Sequence, residues 1–359
     1  MTNVRIGVIG CGAIATAVHL PTLVGLRGVS VVSVADPALA AREAAQRIVV
    51  GARAFDSAQE LLDAGGLDAV VLAMPSPLHA STAIAAFAAG YHVYVEKPVA
   101  TTVADAQALL ASWQRAQRVG VVGFNYRQHP LVQQAHALLR TDAIGEVVAL
   151  QTNFTSRPDT VPVWKQQSSG GALFDKGAHH IDIAAYLLGA YPEAVSSRVM
   201  SRRTAGDTAT LECLFPNGVT MQSTFSFDAT ADDRVTVVGR DGRLSFDRLA
   251  GLSVERSRSA AERSAVSRAR TAVSSLLREP FARSRLLRAD AEPSFRRALC
   301  AFSEAVRAWP TPVTTLPTLA DGVRCVAVLL AAAEAAEQGT RVPVRDLVRD
   351  SVRESVRDA

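Results

Sequence analysis

Hydrophobic and polar positions follow two regimes along the first third of the chain. The runs 4–10 (VRIGVIG), 29–36 (VSVVSVAD), 67–75 (LDAVVLAMP), 91–98 (YHVYVEKP) and 118–125 (RVGVVGFN) are nearly continuous in apolar residues, rich in valine, and bounded by Gly, Pro or Asp. Strands buried on both faces carry this signature, and parallel sheets bury both faces. Between them, 13–26, 38–48, 57–64, 78–90 and 102–117 are Ala-rich and helical in pattern. The alternation predicts a doubly wound α/β domain over 1–124.

The pattern changes after residue 125. The stretches 145–157 and 194–203 read as strands. Residues 208–227 read as a hairpin turning through Pro216-Asn217-Gly218, and 234–246 as another through Asp241-Gly242. Successive hairpins predict a large, mainly antiparallel, open-faced sheet. Helices over 171–189, 294–308 and 319–338 flank it, and Thr318 with Asp321 forms a capping pair for the last. The second domain, 125–359, is therefore α+β. Two parts look like additions: an Arg- and Ser-rich insertion at about 255–292, with an amphipathic helical face over 260–288, and a charged tail over 345–359.

With 359 residues, the chain is long enough for two full cores. It is 48% hydrophobic and 20% charged, in the range of soluble globular proteins. The net charge of +4 is too mild to point to nucleic acid. No leader pattern precedes the first strand, and no apolar stretch is long and clean enough to span a bilayer. Neither a nucleic acid nor a membrane is an expected partner. Cys11, Cys213, Cys300 and Cys325 match no zinc or redox spacing; they read as reduced thiols of a cytoplasmic protein, and no metal site is expected.

The first candidate site is GVIGCGAIA at 7–15, which leaves the first strand and opens the first helix. Gly10 and Gly12 permit a tight turn and a close backbone approach to a pyrophosphate. Ala15 stands where the fingerprint allows Ala for its third glycine. The helix start at Ala13 and Ile14 offers free N–H groups to phosphates. Asp36 ends the next strand, where a carboxylate binds adenosine ribose hydroxyls and repels a 2′-phosphate. The nearest downstream arginine is Arg42. These features predict a Rossmann domain that takes NAD, with NADP as the alternative. Pro75 and His79, in MPSPLH at 74–79, fall on the ligand side of the sheet, His79 as a cap or a cofactor contact.

The strand over 91–98 ends in Glu96-Lys97-Pro98, which alone is also what a plain surface strand end looks like. Taken together, GCGAIA, Asp36, MPSPLH, EKP at 96–98, GFNYRQHP at 123–130 and GGALFDKGAHHID at 170–182 resemble the Gfo/Idh/MocA oxidoreductases, the sugar and inositol dehydrogenases. The resemblance runs over nearly the whole chain. It implies that Lys97 points into the cleft where substrate hydroxyl and nicotinamide meet, with Glu96 near the nicotinamide ribose and a Lys–Pro bond that is often cis. It also implies a homodimer or homotetramer assembled through the open sheet. A wholly polar open face would count against that assembly.

Asp175 and His179 are spaced i, i+4 and share one helix face. An imidazole suits proton transfer with an alcohol near neutral pH, and a neighbouring carboxylate orients it. A cation at Lys97 stabilises developing alkoxide charge. His179 as acid/base with Lys97 as polarising group is one assignment; a lysine base is the other, and the sequence leaves both open. The competing reading makes Asp175 a cap and His179 a core histidine. His180 reads as structural. Asn125, Arg127, Arg157, Trp164 and Lys165 are candidates for substrate contact. The expected reaction is reversible, NAD-dependent oxidation of a secondary ring hydroxyl of a sugar, amino sugar or cyclitol. Alternatives are a ketoreductase of sugar modification, an NAD-assisted glycosidase, and a non-enzymatic regulator.

Overall fold

The computed structural model describes residues 3–161, 170–248, 251–256, 292–311 and 315–348. The amphipathic face sought over 260–288 lies outside these residues, as does the tail beyond 348. Two compact units emerge. The first holds the described residues of 1–128, 293–330 and 345–348, and the second holds 129–292 and 331–344. The boundary expected after 124 thus falls at Gln128/His129. The helix Pro293–Ala308, expected in the second domain, belongs with the first, because its apolar face (Ala298, Leu299, Phe302, Ala305) enters that unit's core.

The first unit is built on a six-stranded parallel sheet: β1 (Val4–Ile9), β2 (Val29–Ala35), β3 (Arg53–Phe55), β4 (Ala69–Leu72), β5 (His92–Val95) and β6 (Gly120–Val122), in the order β3-β2-β1-β4-β5-β6. The short edge strand β3 has too few apolar residues to show in the sequence pattern; two of its three side chains are exposed. Ile6, Val8, Val34, Val71 and Tyr94 are completely or almost completely buried, and each such aliphatic side chain stabilises by about 1.5–3 kcal/mol. The helix Val103–Ala116 starts on Thr102, whose Oγ1 accepts from the Asp105 amide at 3.1 Å. The capping pair expected at the last helix, Leu319–Gln338, is present: the Thr318 amide donates to Asp321 Oδ2 at 2.8 Å.

The second unit is an eight-stranded sheet made of β7 (Val147–Thr155), β8 (Ala194–Met200), β9 (Thr208–Leu214), β10 (Thr220–Ser226), β11 (Asp232–Gly239), β12 (Gly242–Asp247), β13 (Gly251–Arg256) and β14 (Val342–Pro343). Their order is β13-β12-β11-β7-β10-β9-β8-β14, and only β7 and β10 pair in parallel. Both expected hairpins are there. The first turns through Asn217 at φ 68° and Gly218 at φ 78°, the left-handed region that Asn and Gly tolerate. One side of the sheet buries Leu150, Leu211, Cys213, Met221, Phe225, Val235 and Val237. Many of the alternate positions are polar: Gln151, Asn153, Thr210, Gln222 and Arg234 are exposed. Two helices of this unit are Pro130–Arg140, which is not among the expected elements, and Ala178–Leu188.

The helix start in this unit is pinned from below. The 201–207 loop closes on Asp207, whose carboxylate accepts the amides of Arg202, Arg203 and Thr204. Its neighbour Gly206 presents its carbonyl to the Ala172 amide at 2.9 Å, so close to Gly171 that a Cβ there would collide. Burial would raise the Asp207 carboxyl, but the three amides hold it below the usual carboxylate range. A depressed folded value means that its contribution is fully present above the unfolded value of about 4 and is lost as pH falls through the folded one. Asp207→Asn is expected to lower stability by about 1–3 kcal/mol at neutral pH. Urea denaturation should show this gap closing as the solution is acidified.

Candidate active site

In the first unit, the chain leaves β1 through Gly10, at φ 90°, into a π-helical turn, Ala15–His19, and then the helix Leu20–Val24. A Cβ at Gly10 would sit 2.5 Å from the Met74 amide nitrogen, so only glycine fits beside the end of β4. At Gly12, by contrast, a Cβ would meet nothing within 4 Å. The space over Gly12 is open, and the first helical amides, at Ala13 and Ile14, have no intrahelical acceptor by geometry. An open cradle over free amides fits a pyrophosphate. Asp36 closes the far side: its Oδ2 accepts the Cys11 amide at 2.8 Å and its Oδ1 the Ala38 amide at 2.9 Å. Arg42 turns its guanidinium onto the Asp36 and Pro37 carbonyls. Cys11 is buried beneath, its thiol pushed up to about 12 by burial and by Asp36.

The Glu96-Lys97-Pro98 turn is not a plain strand end. Glu96 is 9% exposed and packs directly over Gly123, where a Cβ would meet its carboxylate at 2.9 Å. The ring of His19, wholly buried, faces it with Nε2 2.9 Å from Glu96 Oε1, misaligned for a hydrogen bond but at ion-pair distance. Burial would raise the Glu96 carboxyl; the His19 ring, Lys97 and His79 outweigh burial and hold it below the usual range. The Lys97–Pro98 peptide is cis. Lys97 itself is half-buried.

His79, expected as a cap or a cofactor contact, is enclosed within its unit. Its Nδ1 lies 2.7 Å from the Pro98 carbonyl and its Nε2 2.7 Å from the Met74 carbonyl, with the ring 1% exposed. Both nitrogens are taken up inside the unit, bridging the loop after β4 to the turn that carries Lys97. Burial draws the imidazole below its ordinary value, against the pull of the two carbonyls. Pro75 is exposed at the mouth of the same loop.

In the second unit, Gly170 (φ 90°) and Gly171 (φ 56°) lead into a π-helical turn, Leu173–Gly177, that runs on into Ala178–Leu188. Single π turns recur at functional sites. Asp175 and His179 share one face and are both half-exposed, whereas Lys176 and His180, one residue on, are buried. This contrast separates a solvent-reaching pair from a pair that anchors the helix.

The remaining substrate candidates are placed unevenly. Arg127 is buried, its guanidinium 3.4 Å from Asp321, and Asp321 also caps the last helix of its unit. A cation so enclosed needs that carboxylate. Arg157 is exposed and pairs with Asp159 two residues along, a surface contact. Asn125 is buried, donating to Ser294 Oγ at 2.7 Å, with its Oδ1 enclosed and without a hydrogen-bond partner. Trp164 and Lys165 lie outside the described residues. His19 carried no signal in the sequence, since a histidine inside an apolar helix gives no hint of a carboxylate that arrives 77 positions later.

A family model described as "Oxidoreductase family, NAD-binding Rossmann fold" matches residues 4–143, and one for the "GFO/IDH/MocA C-terminal domain" matches residues 132–245. The chain belongs to the Gfo/Idh/MocA oxidoreductase family. A dTDP-3,4-didehydro-2,6-dideoxy-alpha-D-glucose 3-reductase of Streptomyces antibioticus is 31% identical over 68% of this chain and 76% of its own. An oxidoreductase of Rhizobium meliloti, ORF334, is 35% identical over 54% of this chain, which spans 59% of that relative. Among solved structures, a levoglucosan dehydrogenase in complex with NADH superimposes with a TM-score of 0.79 at 22% identity, over 96% of this chain and 100% of that one. That likeness shows the fold. The chain is thus an oxidoreductase of a nicotinamide dinucleotide, and its Rossmann unit carries the cofactor cradle.

Two glycine variants separate the cradle from the scaffold. Gly12→Val fills open space, so it should weaken NADH binding at least tenfold, about 1.4 kcal/mol, and leave the melting temperature unchanged. Gly10→Ala should instead lower the melting temperature. Fluorescence titration and thermal unfolding read the two effects.

Proposed function

We propose that this protein catalyses reversible oxidation of a secondary ring hydroxyl of a sugar, amino sugar or cyclitol, with NAD as the preferred cofactor. The carrying observation is the half-exposed Asp175–His179 face that follows Gly170 and Gly171, held apart from the buried Lys176–His180 face. Gly10, Gly12, Ala13 and Ile14 hold the dinucleotide, Asp36 faces its adenosine ribose, and Glu96 and Pro75 border the nicotinamide end. The bound nicotinamide supplies the acceptor or donor of hydride. His179 takes the carbinol proton as the carbonyl forms and returns it in the reverse direction. Asp175 orients that imidazole and stabilises its charged form. Lys97 stabilises negative charge on the reacting oxygen.

Three further points support this reading. Relatives are named for work on sugars in both directions: the dTDP-sugar 3-reductase above, a levoglucosan dehydrogenase of Pseudarthrobacter phenanthrenivorans and a D-apiose dehydrogenase of Paraburkholderia graminis. The Asp36 carboxylate, fixed by two amides, repels a 2′-phosphate, which favours NAD. The described cysteines are all free thiols, in keeping with a cytoplasmic setting, and no helix among the described residues is long and apolar enough to cross a membrane. The outer side of the eight-stranded sheet mixes polar positions with Met200 and Leu214, and it is the surface through which a homodimer or homotetramer would assemble.

With the cyclitol or sugar that gives the fastest reduction of NAD, His179→Ala should lower kcat by about 10²–10⁴-fold and Lys97→Ala by about 10²–10³-fold, with NADH affinity retained by His179→Ala. Wild-type rates from His179→Ala would remove it from the chemistry. Asp36→Asn should narrow the preference for NAD over NADP at least tenfold, about 1.4 kcal/mol, in steady-state kinetics.

A further inference from the structure

The helix that carries Asp175 and His179 is gripped on its next face by a column of rings and charges. Lys176 and His180 are also four residues apart, and the ring of Phe154 on β7 lies between them. Lys176 Nζ sits 3.9 Å from the centre of that ring, and the His180 imidazole stacks on it at 5.3 Å with an interplanar angle of 19°. Each end of the column is fixed. Lys176 Nζ donates to Ser156 Oγ at 2.6 Å, at the end of β7. His180 Nε2 meets Asp233 Oδ1 of β11 at 3.1 Å, and Phe225 of β10 closes on the imidazole edge at 6.0 Å.

The charge does not stop at Asp233. Arg248, just beyond β12, donates from Nε to Asp233 Oδ2 at 2.9 Å and from Nη2 to the same oxygen. Its Nη1 donates to Glu292 Oε2 at 2.6 Å, and His129 Nε2 stands 3.7 Å from the other oxygen of Glu292. His180, Asp233 and Arg248 are each less than 9% exposed. Burial would raise the Asp233 carboxyl; His180 and Arg248 reverse this and hold it well below the usual range. A chain of alternating charge so enclosed is costly to open, because removing one member strands its neighbour.

A helix anchored only by apolar contacts can roll by small amounts at little cost. The directional contacts here, a stack, a cation over a ring and a hydrogen bond to a carboxylate, fix both the roll and the height of the first turn. His179 is the adjacent residue, so its direction follows from that of His180. We infer that His180, clasped on Phe154 and tied to Asp233 and Arg248, is a positioning residue that aims His179 at the reacting hydroxyl. The inference rests on the acid/base reading of His179.

Two substitutions divide the grip. His180→Phe keeps the ring over Phe154 but removes the donor to Asp233. His180→Gln keeps a donor near the position of Nε2 but removes the ring. Arg248→Met strips the far side of Asp233. In the full-length enzyme with NAD and its fastest alcohol, His180→Phe should lower kcat by about tenfold to a hundredfold, as expected for a misplaced acid/base. Its NADH affinity should stay within about twofold of wild type. Its kcat profile should lose or move the limb assigned to His179, and His180→Gln should recover part of the rate. Ring signals of labelled histidine give the readout that does not depend on catalysis, with His179 identified by its absence in His179→Ala. A His179 shift and titration displaced in His180→Phe and Arg248→Met supports the positioning role, even if His179→Ala proved fully active and the acid/base reading fell. His179 signals, pH profile and kcat unchanged in a folded but less stable His180→Phe would overturn it.

Discussion

A charge enclosed in protein must meet its opposite, and this constraint organises both halves of the molecule. In the first unit it acts on Glu96, buried over Gly123 at the end of a central strand. His19 comes to it from the nucleotide-binding helix and Lys97 follows it in the chain. In the second unit it acts on Asp233, held between His180 of the helix and Arg248 beyond the sheet. In each case a buried carboxylate lies one residue, or one hydrogen bond and one residue, from a group to which the proposed reaction gives a role. Paired charges of this kind are weak sources of net stability, yet breaking one is expensive, so they fix direction more than they add strength.

The same logic separates residues that share a motif. Lys97 and His79 belong to neighbouring short motifs, but His79 spends both ring nitrogens on backbone carbonyls while Lys97 stays half-buried. Asp175 and Lys176 are adjacent, as are His179 and His180, and each pair splits into one side chain that reaches solvent and one that does not. Helical spacing provides both faces at once. Burial decides which face can meet a substrate.

Much of this was legible from the sequence because it is written in local terms. Valine-rich runs between Ala-rich stretches betray a parallel sheet, Asn217-Gly218 and Asp241-Gly242 betray hairpins, and Gly10 marks a turn that other residues cannot make. What escaped depended on distant partners. The carboxylate that meets Arg127 belongs to Asp321, on a helix almost two hundred residues later. His19, Asp233 and Arg248 lack any spacing that announces a pair. The edge strand β3 escaped for a different reason, since a three-residue strand gives little periodic signal. The return of 293–330 to the first unit follows from apolar faces that fit a core the chain had already built.

The most direct test of the central claim uses the purified protein, NAD, and a panel of sugars, amino sugars and cyclitols deuterated at their ring carbinol carbons. Mass spectrometry of the recovered cofactor asks where the deuterium goes. The account predicts reduced cofactor carrying one deuterium from a single carbinol position of the alcohol that turns over. Cofactor that binds but gains no deuterium from any member of the panel would contradict it.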